Sequence, residues 1–110
     1  MKEIQSNEEF GQVIQNGRVV VEFYANWCPD CHLIAPYFPE WEKLYSDQFT
    51  LVKADRDVLI DTAEKYSVLG IPSFIAFENG QEVARLVSRD TKTKGECEAF
   101  FDSAYKAAKK

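Results

Sequence analysis

The chain has 110 residues, a length that suits one domain. It is 45% hydrophobic and 14% aromatic, enough to build a core without a metal or a disulfide scaffold. A formal net charge of −5 argues against nucleic acid or an anionic membrane as a partner, since either would repel an acidic surface.

Met1 to Glu9 hold no apolar stretch and no small-residue cleavage site, so no secretory leader is expected. No apolar run approaches the roughly 18 residues of a membrane span. A cytoplasmic, monomeric chain forming one domain over residues 1–110 is the expectation. Ser6-Asn7-Glu8-Glu9 predicts a capping box, with Ser6 as the cap and Glu9 reaching back. Phe10, Val13 and Ile14 then mark a helical stripe, closed by Asn16-Gly17. Val19 to Ala25 is β-branched and aromatic, and nearly continuously apolar. That pattern suits a strand covered on both faces. Glu22 is its polar exception.

A long helix is predicted from Cys28 to Tyr45, with Cys31, Ile34, Ala35, Phe38, Trp41 and Leu44 at inward spacing. Pro36 and Pro39 should kink it, because each removes an N–H and crowds the carbonyl four residues back. Phe49 to Ala54 is the next strand, and Asp57 is placed to cap a helix running to Tyr66. The strand–helix–strand run predicts parallel strands joined by a right-handed crossover. Ser73 to Phe77 and Val83 to Val87 follow as an antiparallel hairpin. Its turn is Glu78-Asn79-Gly80-Gln81, and Asn-Gly favours type I′. Thr93-Lys94-Gly95-Glu96 is a second capping box opening a last helix. Lys106 to Lys110 would end that helix, suiting its negative pole. Cys97, Phe100, Phe101, Ala104 and Ala108 share one face of it, which makes Cys97 a packing residue. The result is an α/β chain: a mixed central sheet of four to five strands, flanked by helices on both faces. A short first strand fits at Glu3-Ile4.

Three cysteines are too few for a disulfide scaffold, and two of them form the pair Cys28-Pro29-Asp30-Cys31. A thiol attacks a disulfide only as thiolate. Cys28 follows a strand and sits where a helix begins, with Pro29 at the first helical position. Its sulfur should face unpaired N–H groups and the positive helix end. Cys31 lies one turn inside and deeper. Cys28 is therefore expected to attack, and Cys31 to resolve the mixed disulfide. Asp30 between them should oppose thiolate formation at Cys28. His32 reads as a solvated first-turn residue, or as an adjustable charge offsetting Asp30. A carboxylate within an apolar strand has to be paired or protonated. Glu22 is therefore the partner of a lysine such as Lys53, a store for the proton that Cys31 must lose, or both.

Val21 to Cys31, with its Trp27-Cys28-Pro29-Asp30-Cys31 run, resembles the active-site strand and loop of the thioredoxin family. Ile34-Ala35-Pro36 resembles that family's kinked helix. Tyr66, Gly70-Ile71-Pro72-Ser73 and Phe77-Glu78-Asn79-Gly80 resemble its cis-proline loop and final hairpin, so the likeness spans essentially the whole chain. The resemblance implies the thioredoxin fold, a cis Ile71–Pro72 bond beside the dithiol, and substrate docking on that loop with Trp27 at its flank. It also implies that Glu22 stands where the family has a buried aspartate, and Lys53 where it has that residue's lysine partner. The activity implied is reduction of protein disulfides. No cofactor is bound; the redox group is the Cys28–Cys31 disulfide, re-reduced by a thioredoxin-reductase-type flavoprotein.

Three departures stand out. Pro29-Asp30 replaces the family's usual Gly-Pro, Glu22 replaces aspartate, and Val87-Ser88-Arg89-Asp90 replaces a small, glycine-containing surface. They point to a narrower substrate range and keep open a partner-binding module with slow turnover. A glutaredoxin-like reductase also fits Cys28-Pro29-x-Cys31. Trp27, the long N-terminal helix and the lack of a Gly-Gly pair after the cis-proline strand speak against it. Zinc needs four ligands, and only Cys28 and Cys31 are well placed for it.

Overall fold

A computed structural model describes residues 2–87 and 93–105. The element order is β1 (Lys2–Ile4), α1 (Asn7–Val13), β2 (Arg18–Tyr24), α2 (Pro29–Ile34), a 3-10 turn (Ala35–Tyr37), α3 (Phe38–Leu44), β3 (Thr50–Asp55), α4 (Ile60–Lys65), β4 (Ser73–Glu78), β5 (Gln81–Leu86) and α5 (Lys94–Ser103). The described strands form one mixed sheet in the order β1-β3-β2-β4-β5. β2 lies at its centre, parallel to β3 and antiparallel to β4.

Side chains alternate along β2 and so feed two cores. Val19, Val21 and Phe23 meet Phe10 and Ile14 of the α1 region and Leu59 beside α4. Val20 joins Ile34, Phe38, Trp41, Tyr45, Phe100 and Phe101 on the opposite face. Glu22 is in phase with Val20 and faces the α2–α3 side. Cys97 is fully buried in that second core, at the packing position its helix face predicts.

Most local expectations hold, with shifts of detail. Ser6 Oγ accepts from Glu9 N at 3.1 Å, but the Glu9 carboxylate accepts from Gln5 N at 2.6 Å, one residue earlier than a closed box requires. Thr93 and Glu96 form the complete box. The predicted long helix is divided: Pro36 lies in the 3-10 turn, and Pro39 falls in the first turn of α3, where a missing N–H costs nothing. The inward stripe runs through Ile34, Phe38, Trp41 and Tyr45 at unbroken helical spacing, so Ala35 and Leu44, on its flanks, are exposed. Asp57 does not cap α4, whose cap position is Leu59 without a side-chain bond. Its carboxylate is engaged elsewhere, as described below.

Asn79 and Gly80 take φ of 49° and 89°, the two positive angles of the expected turn. The turn is anchored on the α1–β2 connection: Gly80 N donates to Ile14 O at 2.8 Å and Asn79 N to Gly17 O at 2.9 Å. The Ser88-Arg89-Asp90 loop and the Lys106 to Lys110 tail lie outside the described residues. Among the described residues, no helix is long and apolar enough to cross a membrane.

Candidate active site

β2 delivers the chain to Ala25, and Cys28 N donates to Ala25 O at 3.1 Å, closing a turn. Cys28 is extended (φ −84°, ψ 112°) and is the N-cap of α2. Its Sγ accepts from Cys31 N at 3.2 Å, taking the place a serine hydroxyl usually fills. The same thiol donates towards Ile71 O at 3.7 Å. Pro29 opens α2, and Asp30 sits half-buried in its first turn. Both thiols are free and only 4% exposed, packed with Ala25 against Tyr24 and Ile71. Burial, then the hydrogen bond with Cys28, pushes the Cys31 thiol well above its ordinary range, so it is a neutral S–H at rest.

The Ile71–Pro72 bond is cis, as the resemblance implies, and its loop brings Ile71 O to Cys28. Trp27 is 62% exposed beside the dithiol, with its Nε1 donating to Asp57 Oδ2 at 2.7 Å. Asp55 Oδ1 accepts from Asp57 N at 2.8 Å, so the β3–α4 loop braces the active-site loop. Sequence reasoning missed this bracing. Asp57 is as well suited to a helix cap, and nothing local to it names Trp27 as its partner. Val58, Ile60 and Leu69 are exposed. Ile60 and Leu69 line an open groove of about 580 Å³ that also includes Arg56 and Asp57.

Glu22 is 1% exposed, and its Oε2 has no hydrogen-bond partner. It borders a cavity of about 130 Å³ lined also by Tyr24, Asn26, Cys31, His32 and Lys53. The structure thus brings Glu22, Cys31 and Lys53 to one chamber. Burial raises the Glu22 carboxyl to about 8, against the pull of Lys53. At a value near 8 the carboxyl holds its proton at neutral pH, with Lys53 pulling against it. The Lys53 ammonium lies 5.1 Å from the Tyr24 ring centroid. His32 is exposed, and its Nε2 donates to Asn26 O at 2.6 Å across the active-site loop. Among the described residues, no group of three or more His, Cys, Asp or Glu side chains could hold a metal ion.

A reduced dithiol at a helix start, opposite a cis-proline loop on this sheet, defines a thiol–disulfide oxidoreductase. Comparison with known proteins narrows the class. The thioredoxin family model matches residues 2–102. Thioredoxin-1 of Schizosaccharomyces pombe is 36% identical over 88 residues, 79% of this chain and 84% of that one. The chloroplastic thioredoxin X of Arabidopsis thaliana is 34% identical over 103 residues, 93% of this chain and 57% of that one. A solved thioredoxin of Plasmodium falciparum superposes with a TM-score of 0.83 at 29% identity, covering 94% of this chain and 98% of that one. The chain belongs to the thioredoxin family, and with it comes protein-disulfide reductase activity. Neither the glutaredoxin-like nor the slow-turnover alternative is favoured.

Proposed function

We propose that Cys28 is the attacking thiol and Cys31 the resolving thiol of a protein-disulfide reductase. The observation that carries this is the Cys28 sulfur at the α2 N-cap, accepting the Cys31 N–H, with Cys31 buried behind it. The Cys28 thiolate attacks one sulfur of a substrate disulfide. That S–S bond breaks, a mixed disulfide forms, and the first substrate thiolate leaves and takes a proton from water. Glu22 first releases its proton to water, and in that ionised form takes the proton of Cys31, whose thiolate attacks Cys28 Sγ. The second substrate thiolate leaves as the Cys28–Cys31 disulfide forms. The substrate gains two electrons and the protein loses two.

Glu22 suits this step because a base that titrates near 8 can take a thiol proton and still release it to water. Lys53 steadies the ionised form. Trp27, Ile71 and Pro72 flank the approaching chain, which docks on Ile71 backbone groups as a strand would. Pro29 and Asp30, between the two thiols, modulate the site. No cofactor is bound. A thioredoxin-reductase-type flavoprotein returns the electrons, which makes the chain an electron carrier in the redox homeostasis of the cytoplasm. It acts as one domain and as a monomer.

Trapping tests the assignment. Cys31→Ser should accumulate mixed disulfides with substrate proteins, while Cys28→Ser should accumulate none and reduce no insulin. Equal trapping by the two variants would reverse or dissolve the division of roles. Re-reduction by a thioredoxin reductase, and failure with glutathione alone, is expected.

A further inference from the structure

Glu3, Lys53 and Glu22 form a row across three strands. Glu3 pairs with Lys53 in the β1–β3 register, and Lys53 with Glu22 in the β3–β2 register. In-register neighbours on parallel strands project from the same face, about 4.8 Å apart. Lys53 is therefore rooted between the two acidic residues. Tyr24, two residues beyond Glu22 and so on the same face, fixes the outer end of the row, its hydroxyl donating to Glu3 Oε2. The ring of that tyrosine also lies under the Lys53 ammonium. Meanwhile Glu22 Oε2 is buried without a partner.

We propose that Glu3 is a positioning residue for Glu22: held by Tyr24 beside Lys53, its carboxylate competes for that ammonium and keeps the proton on Glu22. The Tyr24 hydroxyl is suited to hold it. Burial, and then the bond to Glu3, pushes its ionisation far up, so it remains a donor. Groups on every side of Glu22 enter the balance. β3 contributes Lys53 and Asp55, β1 contributes Glu3, and α2 contributes Cys31 and His32, with Cys28 at its cap. Phe38 and Phe74 add only apolar surface. Lys53 favours the ionised Glu22, whereas Glu3 and burial oppose it.

The inference rests on Glu22 as the proton acceptor for Cys31, and the two are separable by experiment. The Glu22 side-chain carboxyl can be followed by 13C NMR in the reduced full-length chain, alongside the pH dependence of the resolving step. In Glu3→Gln the Glu22 titration midpoint should fall by roughly one pH unit, as for loss of a nearby like charge. Tyr24→Phe keeps the ring and releases Glu3, so a smaller fall in the same direction is expected. Glu3→Lys should lower the midpoint further than Glu3→Gln. A Glu22 midpoint unchanged in both Glu3→Gln and Tyr24→Phe, each folded by its spectrum, overturns the proposal. A midpoint that falls while the resolving step keeps its pH profile supports the role of Glu3 and overturns the proton-transfer role of Glu22.

Discussion

Glu22 keeps its proton up to about pH 8 in the folded chain, whereas an ordinary glutamate releases it near 4.5. Between those values the native state binds more protons than the unfolded state, so stability falls as pH rises. The fall begins near 4.5 and levels off above 8. At about 1.4 kcal/mol per pH unit, the whole window amounts to several kcal/mol. Glu22→Gln should remove that slope, so its stability advantage should widen between pH 5 and pH 9 in denaturant unfolding. Parallel stability curves for the two proteins would refute this. The resolving step should change in the other sense, speeding up as pH rises through about 8 while Glu22 ionises. In Glu22→Gln, stopped-flow kinetics should show that rise lost and the step slowed by about 10²-fold. Glu22 was legible in the sequence because a lone carboxylate interrupts an apolar strand. Glu3 was not: a glutamate on a short edge strand has no local signal, and its meaning comes from the pairing of β1 with β3.

At the scale of elements, the legible features were those whose bonds are local. The Thr93–Glu96 box closes within one helical turn. Thr93→Ala should therefore cost about 1 kcal/mol by urea denaturation, with turnover unchanged. The hairpin turn was equally clear, since Asn79-Gly80 suits two positive φ values. The start of α4 was misread because Asp57 competes for two roles, and the indole of Trp27, remote in sequence, takes the carboxylate. Asp57→Ala should thus loosen the active-site loop and leave α4 intact, read as unchanged helical circular dichroism with weaker substrate capture. Helical spacing across Pro36 and Pro39 held for Ile34, Phe38 and Trp41 and continues to Tyr45, which is buried, whereas Leu44 lies off that stripe and is exposed.

Across the whole molecule, the sheet separates two cores, and the larger is aromatic. Phe101 is 1% exposed and meets the rings of Trp41 at 5.0 Å, Tyr45 at 5.3 Å and Phe74 at 5.3 Å. Phe101→Ala should cost about 3–5 kcal/mol. That is a large share of a typical domain's stability of roughly 5–15 kcal/mol. Thermal unfolding should show a steep drop in midpoint. The layered α/β arrangement was evident from the order of elements. The position of β1 at the outer edge, next to β3, was not, because nothing in a three-residue strand names its partner.

The two tryptophans give the molecule an optical asymmetry. Trp41 is fully buried, while Trp27 is 62% exposed and precedes Cys28. Emission should divide into a blue component shielded from acrylamide and a red component that acrylamide quenches. Only the red one is next to the sulfurs, and a disulfide quenches a neighbouring indole. Reduction should therefore brighten the red component and leave the blue one unchanged, giving turnover a label-free fluorescence signal. Trp27→Phe should abolish that signal.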